Sequence, residues 1–317
     1  MGKIVIRDEN YKNFGKCKVI SNGLVEMYVT IDVGPRIIKL NLTGKENLMF
    51  EDIERVTSVD VSQVFGEAKK WYIYGGHRIW TSPESFNSYY PDNEPVSVFH
   101  NALTLNGNMT LNKIIFTPPP QAVNELQHSL EIVMCENQAR AKITHKIENI
   151  GDKFFEGAIW CLSVMAGGGT VICPQPDNDT ELLGNRVLAL WPYTRLTDPR
   201  CNLFDKYITV KQDKNISEKF KFGINNNKGW IAYQNHGQLL KKSYEPNHPS
   251  GNYPDFGVST EVFTNNLFIE AETLGEVTGL NKGGIMAHTE TWELKDAPDA
   301  DTGSENKVEE YAGKYII

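Results

Sequence analysis

The 317-residue sequence predicts an all-β protein, a large antiparallel β-sandwich spanning residues 1–295 as a single domain, with a polar tail over 296–317. Three observations carry this. Roughly eighteen to twenty short segments read as strands, with almost no helical periodicity between them. No internal repeat of constant period points to a propeller. No low-complexity linker divides the chain.

Taken in order, residues 24–32 alternate, with Val25, Met27, Val29 and Ile31 on one face, and 36–42 repeat the pattern with Ile38, Leu40 and Leu42 after a Gly34-Pro35 turn. Such period-two patterns describe half-buried antiparallel strands. Residues 52–67 lack a clean period and read as a loop or short helix. Strands follow at 96–99 and 103–105, and Asn106-Gly107 signals a hairpin into 109–116. Residues 126–134 and 139–148 alternate well and place His128 and His145 among apolar partners, as core histidines. Residues 154–165 form a long apolar strand that ends at Gly167, Gly168 and Gly169. Further strands read at 207–211, 220–222, 229–234 and 239–244, the last two flanking an Asn235-His236-Gly237 turn. A long irregular loop over 245–255 is of a length that often carries function. Strands at 258–263, 267–274 and 289–294 complete the set, and the tail reads as loose and acidic, with one short helix at 308–315.

Composition removes several classes of function. A formal charge of −8, with no Lys/Arg block, argues against a nucleic-acid surface. No apolar run reaches the ~18 residues of a membrane span. The start lacks the apolar core of a signal peptide. Cys17, Cys135, Cys161, Cys173 and Cys201 are widely spaced and read as reduced thiols of a cytoplasmic protein. Zinc-protease, nucleophile-elbow and phosphate-loop motifs are missing, and no histidine pair has metal-ligand spacing. The sequence therefore calls for neither metal nor cofactor.

Chemistry concentrates in two stretches. In the first, Trp71, Tyr72 and Tyr74 precede Gly75-Gly76, then His77, Arg78, Trp80 and, after Pro83, Glu84. Indole and phenol rings offer platforms for the apolar faces of sugars. Imidazole and guanidinium supply proton transfer and planar hydrogen bonding. In the second, Glu270 and Glu272 stand two apart on a predicted strand and share a face. On a solvated face they would be unremarkable; on a cleft floor one can act as a base of raised pKa.

These stretches, with Pro254-Asp255-Phe256-Gly257 and the His288 to Trp292 segment, resemble the galactose mutarotase-like superfamily, in a branch of DUF4380 type. The resemblance covers residues 18–294 and implies a β-supersandwich with a sugar cleft on its concave face. In its aldose 1-epimerases a glutamate is the base, a histidine the acid, and arginine and aspartate bind hydroxyls. By that resemblance Glu272 is the base, with Glu270 as fallback, and Arg78 and Asp255 hold sugar hydroxyls. The aromatic density around Gly75-Gly76 makes Trp80, with Trp71 or Tyr74, the expected stacking wall, with Glu84 and Glu270 beside it. The family's histidine motif has no counterpart around Trp160, so His77 is left as the acid. The expected partner is a small-molecule carbohydrate, with a non-catalytic sugar-binding module as the alternative. A glycosidase-type pairing of Glu270 with Glu84 is a third reading.

Overall fold

The computed structural model describes residues 3–92, 94–105, 109–246 and 251–317. Two large antiparallel sheets dominate it. The first has 11 strands. Its spatial order is Val5–Asn10, Lys16–Ser21, Val25–Thr30, Ile37–Leu42, Gly76–Ser82, Phe155–Met165, Ile269–Leu274, Thr260–Thr264, Phe220–Ile224 and Leu188–Leu190. Thr278–Leu280 pairs beside the start of Phe155–Met165. The second sheet has 10 strands, with Ile285–Asp296 at its middle between Gln238–Ser243 and Arg140–Asn149.

Alternation explains why these segments pair as they do. In Leu126–Met134 and Ile285–Asp296 every second residue is buried, so each strand turns one apolar face inward. Met27, Leu40, Phe222 and Ile269 of the first sheet meet Ile132, Ile143, Trp292 and Leu294 of the second in one apolar layer. The all-β sandwich anticipated from the sequence is the observed fold.

Local signals held in several places. The turn between Trp230–Asn235 and Gln238–Ser243 puts His236 at φ 52° and Gly237 at φ 66°, the two left-handed positions of a tight hairpin. Ser97–Leu105 pairs antiparallel with Met109–Thr117, although the Asn106-Gly107 signal itself lies outside the described residues. Residues 247–250 of the long irregular loop also lie outside them. The loose tail needs correction. Glu305–Tyr315 is a helix whose Val308, Tyr311 and Ala312 are buried, packed with Ile316 against Ile172, Trp230 and Leu239 on the outer side of the second sheet.

Candidate functional site

Adjacent residues on a strand point to opposite faces, and this splits the sequence-derived set in two. On Gly76–Ser82, Arg78 and Trp80 face away from the second sheet, whereas His77 faces into the layer between the sheets. Cross-strand pairing carries the outward row onward. Trp80 lies opposite Trp160, and Arg78 opposite Leu162, which in turn pairs with Glu272. Glu272 pairs with Glu261, Glu270 with Phe263, and Phe263 with Lys221.

A cleft of about 300 Å³ opens on this outer face. Trp71, Trp80, Trp160, Trp191 and Tyr193 contribute to its walls, and Arg78, Glu84, Lys219, Lys221 and Glu270 supply its charge. Trp71 and Trp80 contact each other, with ring centroids 5.3 Å apart. The Arg78 guanidinium lies over the Trp80 ring at 4.5 Å and 3.7 Å from the Glu270 carboxylate. Arg78 Nε and Nη1 and Glu270 Oε1 are buried yet have no hydrogen-bond partner among the described residues. Burial, then the charge of Glu272, push the Glu270 carboxyl up to about 7, against the pull of Arg78 and Lys221.

Beneath this surface lies a buried charge cluster. Lys221 is 2.7 Å from Glu261 and 3.3 Å from Glu272, and its ammonium sits 4.4 Å from the ring centres of both Trp160 and Trp191. Trp160 Nε1 donates to Glu272 at 2.7 Å. Burial would lower the Lys221 pKa, but Glu272 and Glu261 outweigh it and hold it raised. Burial likewise drives Glu261 well above the usual carboxylate range, against the opposing charge of Lys221. Glu272 is fully buried below the cleft and does not line it.

The sequence expectations divide accordingly. Trp71, Arg78, Trp80, Glu84 and Glu270 come together in the cleft. His77 does not join them, because the sheet separates it from the glutamates; pairing it with Arg78 as co-workers overlooked strand alternation. Tyr74, weighed as an alternative wall, packs in a different cluster with Phe14 and Tyr28. Asp255 is also absent from the cleft lining: its Pro254–Gly257 turn borders a neighbouring hollow. Lys221, Glu261, Trp160, Trp191 and Tyr193 escaped the sequence reading. One signal was available, since a lysine between Phe220 and Phe222 on an apolar strand demands a buried counter-charge.

His77 belongs to a second polar nest, sealed between the sheets. Its Nδ1 is 2.8 Å from Ser163 Oγ and its Nε2 is 2.6 Å from His145 Nε2. His288 is 3.0 Å from Thr273, which donates to Glu290. His77, His145 and Glu290, and separately Cys161, His288 and Glu290, each bring ligand atoms within 4.8 Å of one another. The charge a metal would bring is already supplied there by Lys242, which donates to Ser163 and the Ala271 carbonyl and pairs with Glu290 at 2.9 Å. Burial lowers His77 well below its ordinary value, and brings His145 and His288 to about 4.

With this geometry in view, comparison with solved structures identifies the architecture. The chain is similar to a galactose mutarotase-like protein from Clostridium acetobutylicum at 11% identity, covering 92% of this chain and 99% of that one, with a TM-score of 0.55. It is similar to a galactose mutarotase-like protein from Lactobacillus casei at 10% identity, over 88% and 100% of the two chains, with a TM-score of 0.53. The fold is galactose mutarotase-like. A protein from Parabacteroides distasonis that contains a TPR domain is similar at 13% identity over 92% of this chain, with a TM-score of 0.62. This chain spans 48% of that protein's length. No family model matches the chain, and no curated protein matches it. No helix among the described residues is long and apolar enough to cross a membrane.

Proposed function

We propose that the protein binds a carbohydrate in the outer cleft and moves the anomeric proton of an aldose through Glu270, a mutarotase-like activity. The observation that carries this reading is the pairing of Arg78 with Glu270. Both are buried, 3.7 Å apart, with unpaired donors and an unpaired acceptor inside an aromatic-walled cleft. Buried polar groups are rarely left without partners. Sugar hydroxyls match this donor and acceptor set, and the indoles match the apolar face of a pyranose. The resemblance to the branch of DUF4380 type belongs to the same proposal.

Glu270 replaces Glu272 as the proposed base because it alone of the two lines the cleft, and its pKa of about 7 suits proton transfer at neutral pH. Glu272, tied to Trp160 and Lys221, is a positioning residue whose charge raises Glu270. In the reaction, the Glu270 carboxylate takes the anomeric hydroxyl proton as the ring oxygen gains one from water. The ring opens, the C1–C2 bond rotates, and closure returns both protons and gives the other anomer.

A second reading, sugar binding without catalysis, is favoured by His77 lying behind the sheet, which leaves no imidazole acid in the cleft among the described residues. One experiment separates the two. Freshly dissolved α-anomers are followed by polarimetry, and binding of the same sugars by tryptophan fluorescence. Accelerated mutarotation supports the first reading, and a fluorescence change lost in Trp80→Ala supports the cleft as its seat. Binding with no acceleration for any aldose overturns the isomerase and leaves the binding module.

A further inference from the structure

The outer face of the first sheet carries a second hollow, also of about 300 Å³, whose chemistry differs from that of the cleft. Asn178, Thr180, Asn185, Asn225 and Asn227 line it, and among the described residues no charged side chain does. The amides are held by one another: Asn227 Nδ2 donates to Asn178 Oδ1 at 2.7 Å, and Asn225 Nδ2 to the Asn185 carbonyl at 3.0 Å. Asn227 Oδ1 is buried and has no partner among the described residues. At the rim stands Phe256, 91% exposed. It follows Asp255 in a turn where both residues are left-handed, at φ 51° and 70°. Such a conformation is strained for a bulky side chain and persists only where the surroundings impose it.

Strand register relates this hollow to the cleft. Trp191 and Lys221 line the cleft, Val187 and Asn225 the hollow, and the paired Leu188–Leu190 and Phe220–Ile224 strands run between the two sets, four residues apart along each segment. Four residues of strand advance ~13 Å without changing face. Between them Ala189 pairs with Gly223, and Val258, which follows the Pro254–Gly257 turn, packs there: a Cβ at Gly223 would meet it at 2.9 Å. The two concavities thus share a face on either side of the Pro254–Gly257 turn.

We propose that the asparagine-lined hollow is a second saccharide site, for an uncharged sugar unit stacked on Phe256, so that the natural ligand is an oligosaccharide reaching both concavities. Side-chain amides offer paired donors and acceptors that complement hydroxyls without charge. An exposed ring supplies the apolar partner. The distance suits a short oligosaccharide and exceeds one hexose. The oligosaccharide part of the proposal rests on the reading of the cleft above; the second site itself does not.

Calorimetric titration of the full chain with maltotriose, cellotriose, laminaritriose, xylotriose and chitotriose, and with their monosaccharides, tests it. At least one trisaccharide is expected to bind more than tenfold more tightly than its monosaccharide. Phe256→Ala, which removes an exposed ring and should leave folding intact, and Asn178→Ala with Asn227→Ala should each erase that gain and leave monosaccharide affinity unchanged. A trisaccharide gain that survives both variants overturns the second site, as does the absence of any saccharide binding that Phe256→Ala removes; binding at the hollow with no trisaccharide gain overturns the oligosaccharide alone. Trisaccharide binding lost in Phe256→Ala but indifferent to Trp80→Ala would keep the second site and overturn the cleft reading. Binding lost only in Trp80→Ala would do the reverse.

Discussion

Glu270 and Glu272 share a face, yet two residues along one strand give them opposite circumstances. Glu272 is enclosed by Trp160 and Lys221, while Glu270 meets the cleft beside a guanidinium with unused donors. As the base, Glu270 should make mutarotation rise with pH through about 7, because only its carboxylate form accepts the proton. Glu270→Gln should lower the rate ~100-fold while a bound sugar still quenches tryptophan fluorescence. An unchanged rate would remove it from the mechanism. At this scale the sequence was half legible: residue types named Arg78, Trp80 and Glu270, but burial decides between two glutamates two positions apart, and burial depends on strands distant in sequence. Lys221 shows the same limit, since its partners Glu261 and Glu272 become neighbours only once three strands have paired.

Rows of side chains running across strands, rather than single residues, set the energetics of both polar clusters. Lys221→Met would leave Glu261 and Glu272 buried without a counter-charge, and urea unfolding should show a loss of ~3–5 kcal/mol. Adding Glu261→Gln and Glu272→Gln should recover much of that loss; a single variant as stable as wild type would show the row to be dispensable. Between the sheets, His145 and His288 face Lys242 and Glu290 and are held neutral, at about 4. Their pKa is depressed on folding, so the stability they contribute is present above ~6.5 and lost as pH falls toward 4, about 3 kcal/mol for each ring. The raised Glu270 works in the opposite sense, losing stability as pH rises through about 7. A matched comparison isolates the ring: His288→Gln should lose less stability than wild type between pH 6.5 and 4. Alternation made such strands legible, and the same alternation, applied to His77 next to Arg78, would have separated the two clusters from sequence alone.

For the molecule as a whole, the fold class and a short tail helix could be read from the sequence, whereas strand order and the packing of that helix could not. The tail helix is polar on most of its surface, and its short apolar stripe gains meaning only against Ile172, Trp230 and Leu239, more than sixty positions away in sequence. Deleting residues 297–317 should lower stability by more than ~3 kcal/mol, given that Val308, Tyr311 and Ile316 are buried there, and should reduce the urea midpoint accordingly. An unshifted midpoint would show the helix to be an ornament of the sheet. The order of the second sheet has a further consequence, for the chain as it is made. Its central strand, Ile285–Asp296, must insert between Gln238–Ser243 and Arg140–Asn149, pairing with residues synthesised some 145 positions earlier. Until that strand leaves the ribosome, the Arg140–Asn149 hairpin keeps an open edge, and His145 lacks the backbone carbonyl of His288 that its ring meets. A chain ended at residue 284 and released should accordingly be captured by holdase chaperones and cut readily by protease, and the full 317-residue chain should not.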